Sequence, residues 1–383
     1  MQQRAALVGT GFMGWVHCEA LRRIGVVVAG VLGSSQQKSV AMAEQYGIQN
    51  AYANYAELLT DDQIDVVHVL TPNASHFSLC RAAIDAGKHV LCEKPLAMNS
   101  DQSAELVELA ARHPQLVAGV NYNMRFYPLC IEARMRIQSE DLGRIFHVHG
   151  SYVQDWLLKS TDYNWRLQAE QGGSLRAIAD IGTHWLDLVQ FITGRKIVAV
   201  CADLTTVHPT REQPLGEVQT FADSTAGQTE PLTIDTEDHG HLMFQFAGGA
   251  TGSLTVSQVT AGRKNCLRFE IAGSRKALAW NSELPNQLWI GHRDQANEQL
   301  LRDPALLTQT ARPSTSYPGG HNEGYGDSFK HAFHAFYDFL NSDRQTAPQQ
   351  ATFADGHREI VLCEAILASH RQRRWFAIPD AGR

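Results

Sequence analysis

Several absences narrow the reading of this chain before any motif is considered. Basic residues are not in excess: 40 Asp and Glu outnumber 33 Lys and Arg, for a net charge of −7. Without a basic patch, neither nucleic acid nor an anionic membrane is an expected partner. No apolar run is long enough to span a bilayer. Met1-Gln2-Gln3-Arg4 leads straight into an apolar strand, with no signal-peptide pattern. Cysteine is sparse and scattered, at positions 18, 80, 92, 130, 201, 266 and 363, with no Cys-x-x-Cys pair. An odd, dispersed set argues for reduced thiols in the cytoplasm rather than a disulfide framework or a zinc site. What remains is ordinary globular material, 44% apolar and 19% charged. At 383 residues two domains are expected, because single cores rarely grow past about 250–300 residues.

The first third alternates strand and helix. Ala5 to Val8 is an apolar strand that runs into Gly9-Thr10-Gly11-Phe12-Met13-Gly14 and then a helix to Arg23. In this strand–turn–helix setting, Gly9 permits a tight turn and Gly11 lets a pyrophosphate approach the backbone. Gly14 allows close helix–strand packing. The helix start, with Phe12 and Met13, offers unpaired N–H groups to phosphates. The second strand, Val26 to Leu32, ends in Gly33-Ser34-Ser35 with Lys38 just beyond. An acid that would accept from the ribose 2′-OH of NAD is lacking there. Two hydroxyls and a lysine suit a 2′-phosphate, so the local chemistry leans towards NADP; a helix N-cap at Ser34 or Ser35 remains compatible with NAD.

The strand Val66 to Leu70 ends in Thr71-Pro72-Asn73-Ala74-Ser75-His76, a turn able to face a cofactor. Val90 to Cys92 is a further buried strand, and Glu93-Lys94-Pro95 follows at once, proline ending the ladder. An acid and a base at the carboxyl end of a buried strand are costly unless paired or used, and ligands bind outside those ends in open α/β sheets. Lys94 is therefore the first catalytic candidate, against the plainer reading of a solvated Glu-Lys pair. A last strand ends in Asn121-Tyr122, which closes a doubly wound domain over residues 1–122.

Residues 123–383 read as a second α/β domain with a large, mainly antiparallel sheet, from strands such as Ile145 to Val153 and His239 to Phe246. The polar stretches 205–236 and 291–325 read as long excursions between strands. Asp180 and His184 stand four residues apart at a helix start, so both fall on one face. A carboxylate beside an imidazole makes a general base, against a capping Asp and a core His. Trp165-Arg166 and the flexible Gly172-Gly173-Ser174 add groups suited to a polyhydroxy ligand. His147/His149 and His239/His241 form i, i+2 pairs on strands, but without a third ligand no metal site is expected.

Gly9-x-Gly11-x-x-Gly14, Glu93-Lys94-Pro95 and Asp180-x-x-x-His184 together resemble the glucose–fructose oxidoreductase, inositol dehydrogenase and rhizopine-catabolism group (Gfo/Idh/MocA), over essentially the whole chain to Phe353-Ala354-Asp355-Gly356. The resemblance implies a Rossmann domain followed by an open-sheet α/β domain, and NAD(P)-dependent chemistry at a sugar or cyclitol carbon. It implies that Lys94 binds the reacting hydroxyl, that His184 removes its proton with Asp180 as aligner, and that Glu93 sits by the nicotinamide ribose. It further implies a cis Lys94–Pro95 bond and a homodimer or tetramer that covers the sheet. Asn121, Thr71 to Asn73, His76 and Arg166 join the expected cofactor set; Tyr122, Trp165, Arg166 and His321 join the substrate set. The segments around Asn164-Trp165-Arg166 and Gly319-Gly320-His321 look like a subgroup acting on glycosides, anhydrosugars or inositols. A second activity compatible with the resemblance is net glycoside cleavage with a tightly bound, recycled cofactor.

Overall fold

The computed structural model describes residues 3–215 and 228–378. Two compact units emerge. One comprises Met1–Tyr122 with Phe329–Ile360, the other Asn123–Ser328 with Val361–Arg383.

The first unit holds a seven-stranded sheet. In order across it are 351–352, Ala118–Val120, His89–Cys92, Val66–Val69, Arg4–Val8, Val27–Leu32 and Asn50–Ala51. All pairs are parallel except that of 351–352 with Ala118–Val120. The strands are short and almost uniformly apolar, as strands covered on both faces must be. Ala6, Val8, Val67, Val69, Val90 and Cys92 are buried in one cluster with Leu106 and Leu58 from the intervening helices. The first strand lies between Val27–Leu32 and Val66–Val69, and the connections diverge in opposite directions from it. That divergence opens a crevice at the strands' carboxyl ends.

Segment 329–360, placed by sequence with the second domain, packs in this first unit. The reason is aromatic: Phe333 lies 4.5 Å from the ring of His17 and 5.3 Å from that of His68.

The second unit is built on a nine-stranded sheet. Its order is Glu298–Leu301, Gln287–Gly291, Ala277–Asn281, Cys266–Gly273, Ile145–Val153, Thr251–Ser257, His239–Phe246, Ile197–Thr205 and Phe376–Ala377. Pairing is antiparallel except between Ile145–Val153 and Thr251–Ser257. Side chains alternate: Leu242, Phe244 and Phe246 are buried, while His241, Met243 and Gln245 face outward. Helix Thr183–Thr193 covers the inner face through Trp185, whose indole N–H donates to Arg268 O at 2.7 Å and whose ring lies 5.7 Å from Phe244.

Both polar excursions contain strands rather than loop alone. Thr210–Pro214 pairs with Thr229–Thr233 in a separate two-stranded ribbon, and Glu298–Leu301 forms the edge of the large sheet. Among the described residues, no helix is long and apolar enough to cross a membrane.

Candidate functional site

In the first unit, the residues expected from sequence to hold a nucleotide lie at the carboxyl ends of the parallel strands. Gly9 has φ +129°, and a Cβ there would lie 2.7 Å from Leu70 O, so no larger residue fits between the first and fourth strands. A Cβ on Gly14 would meet Gly9 O at 2.5 Å, so the helix Phe12–Arg23 approaches the turn only because the residue is glycine. Above Gly11, in contrast, a Cβ would meet nothing within 4 Å. Gly11 caps the helix without a side-chain hydrogen bond, and no acid stands in the first turn. An open glycine at a helix N-terminus is the kind of place a pyrophosphate requires.

At the end of Val27–Leu32, Ser35 is the N-cap of helix Gln36–Tyr46 and accepts from Lys38 N at 3.3 Å. The capping reading thus holds for Ser35, while Ser34 and Lys38 stay exposed beside it. Across the sheet, His76 joins two loops: one ring nitrogen lies 2.7 Å from Pro95 O and the other 2.8 Å from Thr71 O. Burial draws its pKa down, and the two carbonyls push it back. Asn73 is buried within the same loop.

Glu93 begins the turn after His89–Cys92 and is 7% exposed. Its Oε1 accepts from Asn121 Nδ2 at 2.5 Å and lies 3.0 Å from His17 Nε2. Burial opposes its charge, yet hydrogen bonds from His17 and Asn121 and the nearby Lys94 hold the carboxyl below its usual range. Asn121 Oδ1 is buried with no hydrogen-bond partner among the described residues, an acceptor that an amide or hydroxyl of a bound cofactor would satisfy. These features fit a dinucleotide. Lys94 follows, half-buried, and the Lys94–Pro95 peptide is cis.

In the second unit, Asp180 does not begin a regular α-helix. Ile178–Gly182 forms a π turn, and the α-helix starts at Thr183. Arg166 Nε donates to Asp180 Oδ1 at 3.0 Å, and Gln258 Nε2 donates to Oδ2 at 2.9 Å. The Arg166 guanidinium also lies over the Trp165 indole, 4.4 Å from its centroid, and is steadied by Asn164 Oδ1 at 3.2 Å. His184 is 8% exposed. The Tyr152 ring stands 6.3 Å from it, with its hydroxyl donating to Asn265 at 2.7 Å. One turn beyond, Asp187 is bidentate to Arg125, with the Nε contact at 2.7 Å, and both are buried. Breaking such a pair typically costs about 3–5 kcal/mol, so the helix that carries His184 is firmly anchored. His321 is exposed, but its segment is fixed by Arg302, which pairs with buried Glu323 at 3.0 Å and bonds the carbonyls of Tyr317, Pro318 and His321.

Trp165, Arg166, Asp180 and His184 therefore share one unit, and Gly9 to Gly14, Thr71 to His76, Glu93, Lys94 and Asn121 share the other. Gln258 and Tyr152 were not singled out by sequence. Gln258 directly follows the strand Thr251–Ser257, and its sequence neighbourhood carries no signal of its role. The His147/His149 and His239/His241 rings lie 5.7 and 5.6 Å apart on their strands. Among the described residues, no three His, Cys, Asp or Glu side chains are grouped to hold a metal.

Comparison with known proteins adds three findings. Residues 3–122 match the model for an oxidoreductase family with an NAD-binding Rossmann fold, and residues 130–279 match that for the GFO/IDH/MocA C-terminal domain. The chain is 29% identical to levoglucosan dehydrogenase of Pseudarthrobacter phenanthrenivorans, over 98% of this chain and 97% of that one. Among solved structures, levoglucosan dehydrogenase in complex with NADH and L-sorbose superposes with a TM-score of 0.88 at 27% identity, covering 99% and 100% of the two chains. An inositol dehydrogenase homologue from Azotobacter vinelandii complexed with NAD+ does so at 0.85 and 25%, covering 98% and 97%.

Proposed function

Because the chain belongs to the Gfo/Idh/MocA family of NAD-binding, sugar-type oxidoreductases, we propose that it oxidises or reduces one CH–OH carbon of an anhydrosugar, sugar, glycoside or inositol with NAD or NADP. The observation that carries the reading is the clustering of Gly9, Leu70, Glu93 and Asn121 along one sheet edge, with Lys94 on the same turn as Glu93. That Gly9 and the Glu93–Lys94 turn follow strands of one parallel sheet at their carboxyl ends supports the reading. The relative named for levoglucosan, an anhydrosugar, supports that substrate class first.

When bound, the nicotinamide accepts hydride in oxidation and donates it in reduction. The N–H groups of Gly11, Phe12, Met13 and Gly14 hold the pyrophosphate. Thr71, Pro72, Asn73 and His76 border the cofactor, as does Arg166, and Glu93 and Asn121 accept from its ribose and amide. Ser34, Ser35 and Lys38 receive the adenosine end; with no acid among them, NADP is taken at least as readily as NAD. Lys94 donates to the oxygen of the reacting hydroxyl and stays beside it as negative charge grows there. His184 accepts the hydroxyl proton on a ring nitrogen, and the carboxylate of Asp180 favours the imidazolium that forms. Trp165, Arg166, Tyr122 and His321 bind the remaining hydroxyls. The outward face of the nine-stranded sheet, with exposed Phe146, Val198 and Met243, is the surface on which we place a homodimer or tetramer. All seven cysteines are free, which supports a cytoplasmic setting.

The test is a panel of anhydrosugars, sugars, glycosides and inositols with NAD and NADP in parallel. Steady NAD(P)H formation on one class supports the proposal; hydrolysis of a glycoside without net cofactor turnover would replace it with the recycled-cofactor reaction. On the substrate found, Lys94→Ala should lower turnover by several orders of magnitude while NADH still binds. Near-normal turnover of that folded variant would remove Lys94 from the reaction.

A further inference from the structure

The nucleotide-binding unit contains a line of buried polar groups that the proposed reaction does not use. Tyr337 Oη lies 2.9 Å from His68 Nε2. His68 Nδ1 lies 2.9 Å from His17 Nδ1, and His17 Nε2 lies 3.0 Å from Glu93 Oε1. Both imidazoles are fully buried. Phe333 packs on both rings and Phe329 on that of His17. Such a chain inside an apolar unit is stable only if every donor meets an acceptor.

Donor and acceptor roles give the chain a direction. Glu93 is ionised and only accepts, so His17 Nε2 carries hydrogen. Burial holds His68 well below the usual imidazole range, so it is neutral and has one N–H. Burial likewise keeps the Tyr337 phenol protonated. With His17 neutral, its Nδ1 accepts from His68 Nδ1–H, and His68 Nε2 accepts from the Tyr337 hydroxyl. Every link is then made, and the only charge in the chain is the carboxylate. Were His17 a cation, the His17–His68 and His68–Tyr337 links would reverse while the link to Glu93 stayed, and the phenolic hydrogen would have no acceptor among the described residues. Tyr337 therefore selects the tautomer of His68, which selects that of His17.

We propose that His17, His68 and Tyr337 are positioning residues of the cofactor site, a chain of donors that keeps the Glu93 carboxylate ionised and in one orientation for the nicotinamide ribose. This rests on the reading of Glu93 as a cofactor residue. Other titratable groups bear on the chain: Lys94 and His76 act on Glu93 or through it, Cys92 adjoins it, and Asp65 acts on Tyr337. Asn121 Nδ2, a neutral donor to the same Oε1, fixes the carboxylate from a second side.

Two measurements test the proposal on the full chain. The first is the nitrogen-15 NMR signature of histidine-labelled protein, with His17 and His68 assigned by difference in His68→Gln. Neutral His17 with hydrogen on Nε2 and neutral His68 with hydrogen on Nδ1 are expected; His68 with hydrogen on Nε2 would overturn the chain. The second uses Tyr337→Phe, which deletes one hydroxyl and touches no cofactor residue. Its NADH dissociation constant should rise roughly three- to tenfold, the usual worth of one hydrogen bond, and the acid limb of the affinity–pH profile should move to higher pH. A merely structural tyrosine would leave that limb in place. Unchanged affinity and profile, with the wild type binding NADH, overturn the chain alone. No binding of NADH or NADPH by the wild type overturns the cofactor reading, and this proposal with it.

Discussion

Gln258 Nε2 donates to Asp180 Oδ2 across 2.9 Å, opposite the Arg166 contact on Oδ1 at 3.0 Å. The carboxylate is thus held at both oxygens by donors from two different segments, in a π turn whose own backbone would not orient it. Gln258 is fully buried and its Oε1 has no partner among the described residues.

If Asp180 serves the proton-accepting histidine, Gln258 governs how well it does so. Gln258→Leu removes one hydrogen bond to a charged group, worth about 1.5–3 kcal/mol. On the substrate found, kcat/KM should fall roughly 10- to 100-fold with cofactor affinity unchanged. Gln258→Glu places a second carboxylate against the first, so one of the two holds a proton at neutral pH. Its acid limb in the rate–pH profile should move upward. A wild-type profile in both variants would show that Asp180 needs no such support.

On the proposed reading, cofactor choice rests on the end of Val27–Leu32. Ser34 is exposed there, and the Ser35 hydroxyl already caps the following helix. Ser34→Asp would set a carboxylate against a 2′-phosphate, which at partly screened distances costs about 1–2 kcal/mol or more. NADP affinity should drop about tenfold or further, and NAD affinity should hold or improve. Titration of the unaltered protein is the direct check: NAD bound a hundredfold more tightly than NADP would refute the lean.

Glu237 links stability to pH. Burial pushes its carboxyl up from 4.5 to about 7, although the amides of Ile178 and Arg176 donate to it and pull the value back. A pKa raised on folding means that the folded state favours the protonated form. The contribution is fully present below the unfolded value near 4.5 and is lost as pH rises through about 7. At 1.36 kcal/mol per unit the swing is about 3 kcal/mol. Glu237→Gln has no proton to lose, so its stability relative to the wild type should improve between pH 5 and pH 8. Urea unfolding of both proteins across that range measures it; parallel curves would mean that Glu237 is ionised in the fold throughout.

How legible each feature was in the sequence depends on how local its cause is. Gly9, Gly11 and Gly14 act within one turn, and Glu93-Lys94-Pro95 ends one strand, so residue order alone exposes them. His68 is different. It sits in Val66-Val67-His68-Val69, a polar residue in a wholly buried strand, which signals that a partner must exist without naming it. The partners lie 51 and 269 positions away, and no periodicity carries that information. The same holds for Gln258, 78 residues from Asp180. The ribbon Thr210–Pro214 with Thr229–Thr233 was hidden by composition: Pro214 and Pro231 lie within its strands, and proline marks a run as edge or loop. Helix periodicity placed Asp180 one regular turn before His184, whereas a π turn intervenes and gives Asp180 to Arg166 and Gln258. Here tertiary hydrogen bonds overrode the local pattern.

The last prediction concerns the general base. Hydride leaves a C–OH carbon only as the hydroxyl loses its proton, and near neutral pH that proton needs an acceptor within hydrogen-bond reach. His184 meets the requirement of a fixed imidazole: it is 8% exposed, with the Tyr152 ring 6.3 Å away. Its helix is anchored through the buried Arg125–Asp187 pair, so the ring does not wander. General-base assistance is typically worth 10²–10⁴-fold, and His184→Ala should lose about that factor in kcat for oxidation. Asp180→Asn should lose less, because an amide can still hydrogen-bond but no longer stabilises the imidazolium. Raising the pH should partly rescue His184→Ala, since hydroxide replaces the missing acceptor, and the rescue should be absent in the wild type. Oxidation by His184→Ala at the wild-type rate near neutral pH would assign proton removal to another group, with Lys94 the next to test.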